Sequence, residues 1–338
     1  MRRASFRRRL VTAAAATALL VAPVVGTSTT AVSQTSGAYV VSTEITGTQK
    51  MTVNVFSPSM DRVIPIEVLR PADTSVPRPT LYLLNGAGGG EDSATWSART
   101  NADEFFANKD VNVITPIGGR LSYYTDWERD DPTLGRHKWE TFLTEELPPV
   151  IDSALGTNGV NAVAGISTSA TSVFNLAIAR PGLFNAVAAY SGCAQTADPL
   201  GQQYVRAVVE GRGNADATNM WGPYGGPGWV AHDPVINAEQ LRGTTIYVSN
   251  GSGLAGEHDT IEDSRVGGDQ ATLTNQIIVG GAIELATIPC TVNLQARLAQ
   301  LDIPATFNWR PTGTHSWGYW EDDLHDSWPV IAEAIGVS

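Results

Sequence analysis

Apolar positions in this chain fall into short runs of four to seven residues, separated by longer amphipathic stretches. MTVNVFSPSM (51–60) and IPIEVLRP (64–71) alternate apolar and polar positions, which predicts an antiparallel hairpin entering a sheet. PTLYLLNG, VNVITPIG, GVNAVAG, FNAVAAYSG, TTIYVSNG and PATFNWRP are strand-like, and each ends in a turn signal. Between them DEFFANK, TFLTEELPPVIDSAL, SATSVFNLAIARP and VNLQARLAQL have helical spacing. Strand and helix in alternation predict the α/β class, with a mostly parallel sheet covered on both faces. Chemistry in such sheets gathers at the carboxyl ends of the strands, so the loops after LYLLN, ITPIG, NAVAG, YVSNG and FNWRP are the ones to search. Residues 206–233 break the pattern. They are rich in Gly, Pro and Trp, and predict a lid-like or wall-forming insertion in which Trp221 and Trp229 pack against the domain.

The first ten residues, MRRASFRRRL, carry five arginines and no acid, and the apolar run VTAAAATALLVAPVVG follows. A basic start before an Ala-rich apolar segment predicts a secretory signal peptide over residues 1–34, cleaved between about 26 and 34. The catalytic part would then be a single domain over 35–338, and the protein would be exported to the cell envelope or beyond. Removing five positive charges takes the formal charge from −12 to −17 (−12 minus 5). So acidic a surface repels nucleic acid and argues against that class of partner. Both cysteines, Cys193 and Cys290, lie in the exported part, where an isolated pair forms one disulfide.

Ser167 in AGISTSAT follows the strand-like NAVAG and precedes a helix-like segment, the context of a G-x-S-x-G nucleophile elbow. Gly165 fits that motif, but its fifth position is Ser169 instead of Gly. A serine-rich helix cap is the competing reading. A nucleophilic serine needs a base, and five histidines are available: His137, His232, His258, His315 and His325. In α/β-hydrolase chain order the histidine sits on the loop after the last strand, and His315, directly after PATFNWRP, fits. His325 falls on the final helix, and the other three lack the placement. For the acid, Glu257 or Asp259 follows the penultimate strand, and Glu284 in GGAIELATIPC is the third candidate. Spacing does not choose among them.

One oxyanion donor would be the N–H of Thr168, next after the serine. The glycine-rich LYLLNGAGGGED offers the second, at Ala87, because glycines let backbone approach a reacting carbonyl closely. No G-K-[ST] follows it, so a phosphate-binding loop is not indicated. Without H-E-x-x-H or C-x-x-C, neither a metal site nor a cofactor is expected.

FSPSM near Phe56, LYLLNG, SYYTDW (122–127), KWETFLTEELP (138–148), GIS at the elbow, NMWGP (219–223) and THSWGYW (314–320) occur in that order. Together they resemble the mycolyltransferases, the antigen 85 family of secreted α/β-hydrolase-fold enzymes, over nearly the whole exported part. The resemblance implies an acyltransferase moving a mycolic or corynomycolic-type group from trehalose monomycolate to trehalose or cell-wall arabinogalactan. It implies a triad of Ser167, Glu284 and His315, oxyanion donors at Ala87 and Thr168, and sugar contacts at Asn85, Asp126, Ser316 and Trp317. One departure bears on the sugar: Asn85-Gly86-Ala87-Gly88 stands where mycobacterial members carry D-G-L-R. A secreted carboxylesterase or thioesterase with water as acceptor is the second reading, and a non-catalytic wall-binding protein on the same scaffold the third.

Overall fold

The computed structural model describes residues 37–337; the expected leader and its cleavage point lie outside the described residues. One nine-stranded sheet runs through them. Its strands are β1 (Tyr39–Ile45), β2 (Lys50–Ser57), β3 (Arg62–Leu69), β4 (Thr80–Leu84), β5 (Asn112–Pro116), β6 (Asn161–Ile166), β7 (Ala186–Tyr190), β8 (Thr245–Asn250) and β9 (Thr306–Trp309). In space the order is β1-β2-β3-β5-β4-β6-β7-β8-β9. The first three strands and β5 pair antiparallel. From β5 through β4 to β9 the pairing is parallel. This is the mostly parallel α/β sheet expected from the alternation of strand and helix, and the α/β-hydrolase fold that the resemblance implies. The expected hairpin is β2–β3, in register from Lys50 opposite Leu69 to Ser57 opposite Arg62. β1 was not legible: it is an edge strand with nearly every residue exposed, so burial imposed no period-2 pattern on it.

Five helices position the site: α1 (Leu147–Leu155), α2 (Thr168–Ala179), α3 (Pro199–Arg206), α4 (Gln270–Gln300) and α5 (Trp317–Ala334). α1 stops where Gly156 takes a left-handed conformation at φ 64° and returns its N–H to Asp152, a residue-specific stop signal. α1, α2 and the last turns of α4 cover one face of the sheet, with Ile151, Phe174, Leu294 and Leu298 meeting Val163, Val187 and Ile246. α5 covers the other face, where Leu324 and Ile331 pack with Trp96, Phe106 and Tyr190.

The 206–233 stretch contains short helical segments, and its Val209, Met220, Trp221 and Trp229 share a small core with Tyr123, Trp127 and Val205 of the domain. Trp221 and Trp229 stack edge to face at 5.2 Å and are buried, so the expected packing role holds for both. The sequence pattern marks only the VNLQARLAQL part of α4 as helical. The start of α4 is capped by Asp269, and the helix contains a π-helical turn at Gln276–Gly280 and carries Pro289 inside. Gly280, Gly281 and Pro289 are helix-disfavouring by propensity, and only tertiary contact explains them. A side chain at 281 would come within 2.5 Å of the Gly253 carbonyl, so glycine alone lets helix and loop touch.

Candidate active site

Ser167 stands between β6 and α2 with φ 56° and ψ −120°, a strained conformation for a residue with a side chain. The neighbours explain how the turn is held. A Cβ at Gly165 would lie 2.6 Å from Ser169 Oγ and 2.9 Å from the Ser169 backbone, and a Cβ at Gly192 would lie 2.4 Å from Ala170 Cβ. Ser169 is fully buried, and its hydroxyl accepts from the Ile166 N–H at 2.9 Å and donates to the Ile166 carbonyl at 2.9 Å. The fifth motif position is therefore a brace across the turn. A glycine there would leave a buried donor unpaired.

His315 reaches Ser167 from the loop after β9. Its Nε2 lies 2.8 Å from Ser167 Oγ, and its Nδ1 lies 2.9 Å from Glu284 Oε2. Glu284 is fully buried on α4, a few residues past the π-helical turn. Its other oxygen, Oε1, accepts from Gly251 N at 2.6 Å, Ser191 Oγ at 2.7 Å and Arg310 Nη2 at 3.0 Å. The His315 backbone N–H donates to the Gly280 carbonyl at 3.1 Å, so the π-helical turn sets the height of the histidine as well as of the acid.

The structure separates the three acid candidates. Glu257 is exposed on the outside of its loop. Asp259 accepts from Thr314 Oγ1 at 2.7 Å and Tyr319 Oη at 2.6 Å, and so anchors the histidine loop without touching His315. Burial would raise the Asp259 pKa, but these donors and Gln276 and Gly256 hold it below the usual range. The remaining histidines are engaged elsewhere. His137 takes the Trp139 indole N–H at 3.2 Å, His232 stacks on Trp221 at 4.8 Å, and His325 stacks on Phe105 at 4.0 Å. His258 meets Asp322 at 2.6 Å, with Glu257 beside the pair, the one cluster among the described residues with metal-ligating donors in reach of one another.

Ser167, His315, Ala87 and Thr168 share the wall of a cavity of about 540 Å³. It runs between Val205 and Val208 on one side and Ile278, Val279 and Ile283 of α4 on the other. Much of Ile278, Val279 and Ile283 is solvent-exposed at its margin. Thr168 opens α2, so its N–H has no acceptor within the helix. The disulfide joins Cys193, on the cavity wall, to Cys290 of α4, 97 residues later in sequence.

The four expected sugar contacts are not on this wall, and each has other employment. Asn85 is fully buried behind the glycine loop, where its Oδ1 accepts from Trp96 N at 3.3 Å. Asp126 spends both oxygens on Thr141, at 3.1 Å to its N and 2.6 Å to its Oγ1. Ser316 Oγ lies 3.3 Å from Thr314 Oγ1 and precedes the first turn of α5. Trp317 packs edge to face on Trp96 at 5.5 Å and Trp320 at 5.2 Å. A motif places a residue in sequence, but the direction of its side chain depends on neighbours that the motif does not contain.

The family described as putative esterase matches residues 57–330. The diacylglycerol acyltransferase/mycolyltransferase Ag85A of Mycobacterium leprae is 30% identical over 294 residues, covering 85% of this chain and 83% of that protein. Ag85C of the same organism is 31% identical over 295 residues, covering 85% and 82%. Among solved structures, MPT51 (FbpC1) of Mycobacterium tuberculosis matches with a TM-score of 0.68 at 26% identity, covering 82% of this chain and 96% of that one. An S-formylglutathione hydrolase from Agrobacterium tumefaciens shares the fold, with a TM-score of 0.57 at 15% identity over 88% of this chain and 99% of that one. The chain belongs to the putative esterase family and, within it, groups with the Ag85-type diacylglycerol acyltransferase/mycolyltransferases.

Proposed function

We propose that this protein is an exported serine acyltransferase that moves a long mycolic or corynomycolic-type acyl group from trehalose monomycolate to trehalose or cell-wall arabinogalactan. The observation that carries the reading is the continuous hydrogen-bond chain from Ser167 through His315 to Glu284, opening onto an apolar cavity. His315 Nε2 accepts the Ser167 proton as Oγ attacks the ester carbonyl, and Glu284 orients the imidazole and offsets its developing charge. The N–H groups of Ala87 and Thr168 receive the oxyanion. The Oγ–C bond forms, the ester C–O bond breaks, and His315 returns the proton to the departing sugar oxygen. A second sugar hydroxyl then gives its proton to His315 and attacks the acyl carbonyl; the new ester C–O bond forms, the Oγ–C bond breaks, and His315 returns the proton to Ser167 Oγ. The apolar walls from Val205 to Val208 and along α4 hold the acyl chain and keep water from the ester. The basic, Ala-rich start of the chain is the export signal, removed from the catalytic domain over 35–338.

The employment of Asn85, Asp126, Ser316 and Trp317 elsewhere favours one second reading, an esterase or thioesterase with water as acceptor. Incubating an acyl-trehalose donor with and without excess trehalose separates the two. Transfer product rising with acceptor supports the acyltransferase, and free acid insensitive to acceptor supports the esterase. Mass spectrometry after a serine-directed phosphonate tests the site itself. Label on a residue other than Ser167 overturns the site, and no label at all overturns both readings and leaves a wall-binding protein.

A further inference from the structure

We propose that Arg310 is a positioning residue for the reaction: its guanidinium pins one oxygen of Glu284 so that the other faces His315 alone. The inference rests on the triad reading above. Arg310 follows β9 by one residue, and its side chain is 11% exposed. Nη2 donates to Glu284 Oε1 at 3.0 Å, and Nη1 pairs with Asp323 of α5, whose side chain is fully buried like that of Glu284. Its Cζ lies 5.4 Å from the Tyr319 ring centroid, and its backbone N–H donates to the Asn250 carbonyl at 3.0 Å. Two glycines make room for it. A Cβ at Gly251 would stand 3.1 Å from Nη2, and a Cβ at Gly313 would stand 3.2 Å from Nε.

The chemistry of the fork matters here. A guanidinium presents parallel donors in a rigid plane and can bridge two carboxylates, whereas an ammonium is a single point charge on a flexible stem. Glu284 Oε1 already receives the Ser191 hydroxyl and the Gly251 N–H. Among the described residues, Arg310 brings the only full positive charge to that oxygen, and a buried carboxylate without such a partner is costly. Oε2 is left with His315 Nδ1 at 2.9 Å. The titratable groups facing the cluster are Glu284 and His315, Asp323, Asp322 and Tyr319 from α5, and Tyr247 from β8.

The competing role is purely structural, with Arg310 serving only to neutralise buried Asp323. Two variants separate the roles. Arg310→Met leaves Asp323 unpaired, whereas Arg310→Met/Asp323→Leu removes the whole pair and replaces it with apolar volume, which restores stability in other buried pairs. With a short-chain p-nitrophenyl ester, both variants are expected to lose about 10- to 100-fold in kcat through a misplaced base, with KM within about twofold. The double variant is expected to recover the thermal midpoint without recovering kcat, and Arg310→Lys to recover part of kcat. Wild-type kcat in the double variant would overturn the proposal, whether or not the single variant folds. If the wild type itself neither turns over the ester nor takes label at Ser167, the triad reading has failed instead.

Discussion

Ser169 offers a test in which motif and structure disagree. Restoring the motif with Ser169→Gly should be harmless if the fifth position only needs to be small. In the structure the Ser169 hydroxyl is the acceptor for the buried Ile166 N–H at 2.9 Å. Removing it leaves that donor unpaired, at a cost of about 1–3 kcal/mol. Glycine in the first turn of α2 adds about 0.5–1 kcal/mol through backbone entropy. The sum is about 1.5–4 kcal/mol for Ser169→Gly, and about 1–3 kcal/mol for Ser169→Ala, which loses only the hydrogen bond. For a chain of this size each kcal/mol lowers Tm by about 2–4 °C, so the expected losses are about 3–16 °C and about 2–12 °C. Calorimetry of both variants beside p-nitrophenyl ester turnover reads the result, with kcat expected to fall because the brace also sets the Ser167 hydroxyl against His315. An unchanged or higher Tm in Ser169→Gly with undiminished kcat would refute the reasoning, since the motif would then describe the turn better than its hydrogen bonds do.

Three further outcomes follow from other parts of the molecule. Reduction of Cys193–Cys290, or the Cys193→Ser/Cys290→Ser variant, should cost about 2–5 kcal/mol, because the bond closes a loop of 97 residues; urea unfolding with and without reductant measures it. The Asp322 hydrogen bond raises the His258 pKa above its ordinary 6.5. A raised folded-state value means that this contribution is fully present below about pH 6.5 and is lost as pH rises through the folded pKa. Asp322→Asn should therefore lower Tm at about pH 5 and leave it nearly unchanged at about pH 8, and equal losses at both would count against the pairing. Val208→Trp should fill the cavity between α3 and α4. Turnover of long acyl esters is then expected to drop by about 10-fold or more while butyrate turnover holds, as read from a chain-length series. Equal loss at all lengths would place the chain elsewhere.

The sequence by itself determined the sheet and the order of its parts. Eight of the nine strands follow from apolar runs that end in turn residues, because burial on one or both faces of a sheet selects for that pattern. The cysteine pairing was legible for a simple reason: two cysteines allow one partner each. Ser167 and His315 were legible from chain order, since the elbow and the last loop are fixed by topology. Family resemblance singled out Glu284, which spacing left level with Glu257 and Asp259.

Tertiary structure decided what depends on contacts between distant segments. Glu284 meets His315 because a helix containing Gly280, Gly281 and Pro289 is held in place by the Gly253 loop and the disulfide, against its own local preferences. Asp259, a plausible acid by position, instead anchors the Thr314 hydroxyl beside the histidine. Asn85, Asp126, Ser316 and Trp317 are absent from the cavity wall and make contacts elsewhere. Arg310 carried no signal at all in sequence, being one arginine after a strand. Its place between two buried carboxylates exists only once β9, α4 and α5 have come together, and a pattern along the chain records burial and turns but not which charges the fold will bring face to face.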